Sequence, residues 1–256
     1  MVDPSLLILV AVIVFGGIAV VVKAASNARA ERMRETCFDF ANTQGFTYYA
    51  QGYPNKIYDP GPFFGLFDSA PADPLLLQLQ PFEPFTRGTN RRLTDLLVAR
   101  RERSDCYLFQ YRYTISTGKS STTFTCSVSA LRVSMILPSL RIGPENVFTR
   151  IGEHLGMQDI KFEMEEFNRR YVVQCDDEKK AYDLLDPKVI EYLMSLPVRD
   201  WQMGGWWLVS VRDRPFDPFD AFDMAQAMEG FVERLPHYVA QDASFAATWD
   251  SPLTLA

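Results

Sequence analysis

Histidine is nearly absent from these 256 residues; the two present are His154 and His237. Neither has a second ligand at the spacing of an HExxH helix, which argues against zinc hydrolysis, where two or three His or Cys ligands sit close together. There is no GxxxxGK[ST] and no GxGxxG, so no phosphate-cradling loop is encoded. A GxSxG nucleophile elbow is missing too. The four cysteines, Cys37, Cys106, Cys126 and Cys175, form no CxxC pair. In a reducing cytoplasm they are expected to be buried free thiols; outside it, one or two disulfides become available. Basic charge is short as well: 26 Lys and Arg stand against 32 Asp and Glu, net −6. That disfavours a nucleic-acid binder, which needs a basic face to displace counterions from phosphates. No cofactor, no metal and no enzymatic activity is expected.

What the chain does have is an address. Leu6 to Val22 (LLILVAVIVFGGIAVVV) carries no charged or strongly polar side chain. At about 1.5 Å per helical residue it nearly crosses a hydrocarbon core of roughly 30 Å, and backbone amides in lipid require a helix there. Asp3 is the only charge before the run, whereas Lys23, Arg29, Arg32 and Arg34 follow it against Glu31. Positive charge stays inside, so the N-terminus is expected outside and the C-terminal domain in the cytoplasm, on a single-pass inner-membrane protein. A cleaved signal would want a basic start, and Met1–Ser5 has none. Expected partners are the membrane itself and other membrane or cytoplasmic proteins, without nucleic acid.

The rest divides into a flank (1–5), the span (6–22), a juxtamembrane helix (23–45), a Pro- and aromatic-rich irregular segment (46–90), a folded domain (91–236) and a tail (237–256). In the juxtamembrane helix Met33, Cys37, Phe40 and Ala41 recur at helical spacing, with Gly45 as C-cap. Seven prolines between Phe46 and Phe85 stop any long element, yet the many Tyr and Phe predict that this segment lies against the domain. Pro71–Pro74 and Pro81–Pro84 both fit PxxP, a pattern common by chance in such a stretch.

Leu96–Arg101 and Cys106–Ile115 read as two strands, the second alternating Tyr107, Phe109, Tyr111 and Tyr113 on one face. In Thr122–Met135 the apolar phase moves from Phe124, Cys126, Val128 and Ala130 to Leu131, Val133 and Met135, which predicts a bulge or bend near Ala130. Pro144 to Gly156 reads as a short helix, with His154 near its C-terminus as a dipole partner. Asp159–Phe162 and Arg170–Cys175 read as further strands. Asp177 and Asp186 are expected N-caps, the latter with Pro187 at the first helical position. Trp201–Met203, Gly204-Gly205 and Trp206–Arg212 carry a hairpin signature. Asp217 and Pro218 open a last helix with a stripe of Phe219, Phe222, Ala225, Met228, Val232 and Leu235. This order of hairpins and helices predicts an α+β domain with a mainly antiparallel sheet.

Several stretches resemble an uncharacterised family of single-span bacterial membrane proteins over about Pro81 to Pro236. They are Pro84-Phe85-Thr86-Arg87-Gly88-Thr89-Asn90-Arg91, Phe109-Gln110-Tyr111-Arg112-Tyr113, Leu137-Pro138-Ser139-Leu140, Phe167-Asn168-Arg169-Arg170-Tyr171-Val172-Val173 and Ala181-Tyr182-Asp183-Leu184-Leu185-Asp186-Pro187. The resemblance implies an anchored, bacterial protein and transfers no activity and no site.

Candidate surfaces are two. Arg91, Arg92, Arg100, Arg101 and Arg103 concentrate positive charge that anionic lipid would attract if it faced a bilayer; a solvated hairpin face balanced by Asp95, Glu102 and Asp105 is the plainer reading. Trp201, Trp206 and Trp207 would serve as an aromatic cage or, more simply, as cross-strand packing. Asp217, Asp220 and Asp223 offer oxygen ligands at spacing three, but capping explains them more fully. The sequence therefore favours a membrane-anchored, non-enzymatic interaction domain of scaffold or accessory type. A ligand- or lipid-sensing module lined by Tyr107, Tyr111, Trp206 or Phe222 comes second, and an unrecognised hydrolase third.

Overall fold

The computed structural model describes residues 4–52, 73–101, 103–145, 157–236 and 239, with side chains from residue 23 onward. The side chains of the expected span therefore lie outside the described residues, as do most of the helix expected at Pro144–Gly156, both histidines and nearly all of the tail. Among the described residues no helix is long and apolar enough to cross a membrane.

The elements in chain order are α1 (Pro4–Gln44), β1 (Thr47–Tyr49), α2 (Pro74–Gln78), β2 (Thr89–Arg100), β3 (Ser104–Ser116), β4 (Ser121–Gly143), β5 (Gln158–Ile160), α3 (Glu165–Arg170), β6 (Val172–Cys175), α4 (Glu178–Leu184), α5 (Pro187–Ser195), β7 (Trp201–Arg212) and α6 (Pro218–Arg234). This is an α+β domain. Its sheet runs β1-β2-β3-β4-β6-β5, with β7 on β4, and every pairing is antiparallel.

The last turns of α1 belong to the core: Cys37, Phe40 and Ala41 are buried, and Gly45 ends the helix with φ +71°. Residues 47–49 pair as β1, so the folded unit begins well before 91. Strand β2 changes face in the middle. Leu93 and Leu96 pack on one side of the sheet, Leu97 and Ala99 on the other. A register shift between Thr94 and Leu97 makes the change, with Asp95 at φ +54°. Tyr48 Oη donates to Asp95 Oδ1 at 2.8 Å, and Asp95 N donates to Ala50 O at 3.1 Å, holding this strained residue.

Of the bulge or bend expected near Ala130, the pairing with β3 shows no bulge. Register between β3 and β4 is unbroken from Ser104↔Val133 to Ser116↔Ser121. The apolar phase moves because Cys126–Val133 is buried on both faces: Cys126, Val128 and Ala130 join one cluster, Leu131 and Val133 the other. The irregularities fall later, between Arg132 and Leu140, against β7.

Gly204-Gly205 is not a hairpin turn either. β7 pairs along its length with β4, from Trp201↔Ile142 to Arg212↔Ser127. Yet Ser210 Oγ donates to Asp200 O at 3.0 Å. Ten residues of straight strand would hold these groups about 33 Å apart. The β4–β7 ribbon must fold back, and the glycines (Gly205 at φ +56°) lie opposite the bulged stretch of β4. The pair marks a corner of a continuous strand.

Three expected caps are present. Asp177 accepts from Lys180 N, Asp186 from Val189 N, and Asp217 from Phe219 N and Asp220 N, with Pro187 and Pro218 opening their helices. The stripe on α6 is turned from expectation: Ala221, Met224, Ala225, Met228 and Phe231 are buried, whereas Phe219 is 56% exposed. Phe216, just before the cap, fills the core instead. The other expected PxxP, Pro81–Pro84, is a run of turns whose Phe82 is buried, not an open polyproline ridge.

Candidate functional site

The five arginines do not form one patch. Arg91 and Arg92 lie near the start of β2; Arg100, Arg101 and Arg103 lie at its end, about 30 Å away at strand rise. Arg91 donates to Phe85 O at 3.1 Å. Arg92 sits opposite Arg112, and Arg100 opposite Asp105. Arg101 bonds Glu229 at 2.6 Å and lies over the rings of Phe46 and Phe222, tying the β2–β3 turn to α6. The acids expected to balance a solvated face are partly inside: Asp95 and Asp105 are buried.

The tryptophans are divided by the sheet. Trp201 is buried among the helices, its Nε1 donating to Met224 Sδ at 3.2 Å and its ring edge-on to Phe231. Trp207 packs on the opposite face against Tyr107. Trp206 is exposed, with the Arg132 guanidinium 5.1 Å from its ring centre. The parity change at the glycine corner sends Trp201 and Trp207 to opposite sides, so the three build no cage.

Two concavities border β7. The first, of about 330 Å³, lies in the crook between the two ends of the folded-back strand. Asp200 and Gln202 come from one end, Ser210, Arg212 and Asp213 from the other, and Glu83, Arg87, Tyr113 and Arg199 complete its polar lining. The second, of about 250 Å³, lies over the glycine corner against Phe82, Leu140, Met203 and Trp207. Gln202 borders both. Its amide clamps the peptide of Glu83 in both directions: Glu83 N donates to Oε1 and Nε2 donates to Glu83 O, each at 3.0 Å. Tyr107, Tyr111, Trp206 and Phe222, the residues expected to enclose a ligand, border neither. Nothing in the spacing of 83–87, 113, 199–202 and 210–213 announces their meeting; the ribbon corner creates it.

Several titratable groups here are committed to structure. Arg141 donates through Nε and Nη2 to the two carboxylate oxygens of Asp200, at 3.1 and 2.8 Å. Burial raises the Asp200 carboxyl above its usual range, and Arg141 opposes the shift. Glu83 pairs with Arg87 at 2.5 Å. Burial pushes the Tyr113 hydroxyl up to about 12, so it stays neutral and can donate as well as accept. All four cysteines are free and buried. Burial pushes Cys37 and Cys126 up to about 12 and Cys175 up to about 11, and raises Cys106 too, the signature of inert thiols. Among the described residues no group of His, Cys, Asp and Glu could hold a metal ion. Asp217 is occupied as a cap, and Asp220 pairs with Arg214. A Ser, Cys or Asp beside His154 or His237 lies outside the described residues.

The motifs that carry the sequence resemblance have structural jobs. Asn168 clamps Phe162 through its backbone N and O, Arg170 binds the carbonyls of Met194 and Leu196 at the end of α5, and Tyr171 Oη donates to Leu193 O.

No family model matches the chain, and no curated protein matches its sequence. Its fold is similar to the crystal structure of the mycobacterial trehalose monomycolate transport factor A, TtfA, with a TM-score of 0.52. Identity is 9%, and the likeness covers 80% of this chain and 96% of that one. At that identity the likeness is one of fold.

Proposed function

We propose that this chain is a membrane-anchored, non-enzymatic accessory domain, facing the cytoplasm and serving an assembly that moves envelope lipid. The observation that carries this reading is the fold likeness to a transport factor over nearly the whole of that factor's chain. It is an argument by analogy of fold, strengthened by independent features. The apolar run at 6–22 and the basic residues after it supply an anchor with a cytoplasmic domain. A single helix, α1, carries the chain from that run into the domain core. The carboxylates of Glu83, Asp200 and Glu229 are tied into ion pairs and that of Asp217 into a cap.

The test is purification of the full-length protein from its native membranes after mild cross-linking, with the recovered partners identified by mass spectrometry. A polytopic lipid transporter in stoichiometric yield is the expected result. Recovery of the protein alone, or turnover of a small substrate by the purified chain, would overturn the reading. Topology is checked separately: a cysteine appended to the C-terminus should react with an impermeant maleimide only after the inner membrane is opened.

A further inference from the structure

We infer that the crook of β7 is a binding site for a neutral, hydroxyl-rich ring, the chemistry of a sugar. The cavity, about 330 Å³, falls at the small end of ligand sites, which run roughly 300–1,000 Å³. Of its charges, Glu83 is paired with Arg87 and Asp200 with Arg141, which leaves Arg199 and Arg212 beside Asp213. A phosphate or carboxylate ligand would meet the Asp213 carboxylate beside those two cations, and an ammonium would meet two guanidiniums beside that carboxylate, so the mixed signs suit a neutral ligand better than either ion.

The groups left over are mixed donors and acceptors. The Arg199 guanidinium and the Tyr113 hydroxyl make no hydrogen bond among the described residues, although Arg199 is half-buried and the Tyr113 ring is almost wholly enclosed. Ser210 Oγ spends its proton on Asp200 O and keeps its lone pairs. Among the described residues Asp213 accepts only from the Cys126 thiol, at 3.5 Å. Each sugar hydroxyl both donates and accepts, so vicinal hydroxyls satisfy neighbouring arginine donors and carboxylate acceptors together. Pro84, Val198 and Val211 supply apolar walls for the C–H faces of such a ring.

The same ring chemistry comes from a free saccharide or from the head group of a glycolipid. The second concavity lies across the Gln202–Glu83 clamp with Phe82, Met203 and Trp207 in its wall, where an alkyl chain leaving the first would run. The glycolipid source deepens the accessory reading and rests on it; the sugar site itself does not.

The experiment titrates the full-length chain, held in a sugar-free amphipol, with maltose and with octyl maltoside below its micelle-forming concentration, using ligand-observed NMR. Both are expected to bind, the alkyl form more tightly. Arg199→Gln and Tyr113→Phe, which remove donors that no described group uses, should each weaken both probes roughly three- to tenfold. Gly204→Val builds into the second concavity, since a Cβ there would lie 3.7 Å from Phe82 and Ser139. It should bring octyl maltoside down to the affinity of maltose and leave maltose unchanged. Equal affinity of the two probes for the wild type would support the sugar site and assign it to free saccharide. Binding of neither probe, unaltered binding by both crook variants, or displacement by inorganic phosphate or glycine would overturn the proposal. A chain that binds sugar yet recovers no transporter refutes the accessory reading alone, and the converse refutes the site alone.

Discussion

On one face of the sheet, α1, α4, α5 and α6 close over Leu108, Leu131 and Leu208; on the other, α2 and the turns around Phe82 and Phe85 close over Phe109, Val128 and Val209. The helical cover brings its own hydrogen bonds, so each helix adds apolar area and asks only for caps at its ends. The turn-rich cover has few repeating bonds of its own and must be pinned from below. Gln202 does so at Glu83, Arg91 and Tyr111 at Phe85 O, and the rings of Phe85 and Tyr111 meet 4.9 Å apart. The helical face should therefore melt with the whole domain, and the turn-rich face should open alone. Both concavities include the pinned turns, which places binding on the cover that is easier to move.

Substitutions divide along that line. Trp201→Ala hollows the helical core and is expected to cost about 3–5 kcal/mol, seen as one cooperative loss in urea unfolding. A local effect would end the contrast between the faces. Gln202→Ala leaves the half-buried amide and carbonyl of Glu83 without the clamp, a cost of about 1–3 kcal/mol. Amide exchange should quicken at residues 82–88 while α5 and α6 keep their protection; uniform loss would mean the faces open together. Asp186→Ala removes a cap from the helical cover and should cost about 1 kcal/mol, read as a lower melting temperature with no local opening near Phe82.

The smallest effect is one of pH. Burial raises the Asp105 carboxyl above its usual range, against the pull of Arg100 and Arg132. The native state then holds this proton more firmly than the unfolded chain, so its contribution to stability falls as pH rises through the raised value. Asp105→Asn escapes that loss. The melting temperature of the variant relative to wild type should move upward from acid to neutral pH, and a difference that ignores pH would deny the buried charge.

What could be read in the chain beforehand follows the same division. Asp177, Asp186 and Asp217 announce their helices because a cap is settled within three residues. The aromatic alternation of β3 was equally plain, because a strand shows its faces at period two. The Gly204-Gly205 corner shows in the sequence as a break with the signature of a hairpin, since pairing with β4 rather than with its own continuation is decided by the irregular stretch between Arg132 and Leu140. Phe219 looked inward by periodicity, but Phe216 takes the core position ahead of the cap and leaves Phe219 edge-on to Phe40 at the surface. The crook has no signature at all: its residues come from separate stretches, 83–87, 113, 198–202 and 210–213 among them, joined only by the fold of the ribbon.

Helix α1 enters the core at Cys37 without a hinge, after a fully exposed stretch from Lys23 to Arg32. The domain is thus keyed to its stalk like a blade to a shaft. One residue added to that stretch would turn every surface of the domain by about 100° and lift it about 1.5 Å, while four would nearly restore its heading at about 6 Å greater height. Direction and distance from whatever holds the first twenty-two residues are set by the number of residues in the stalk.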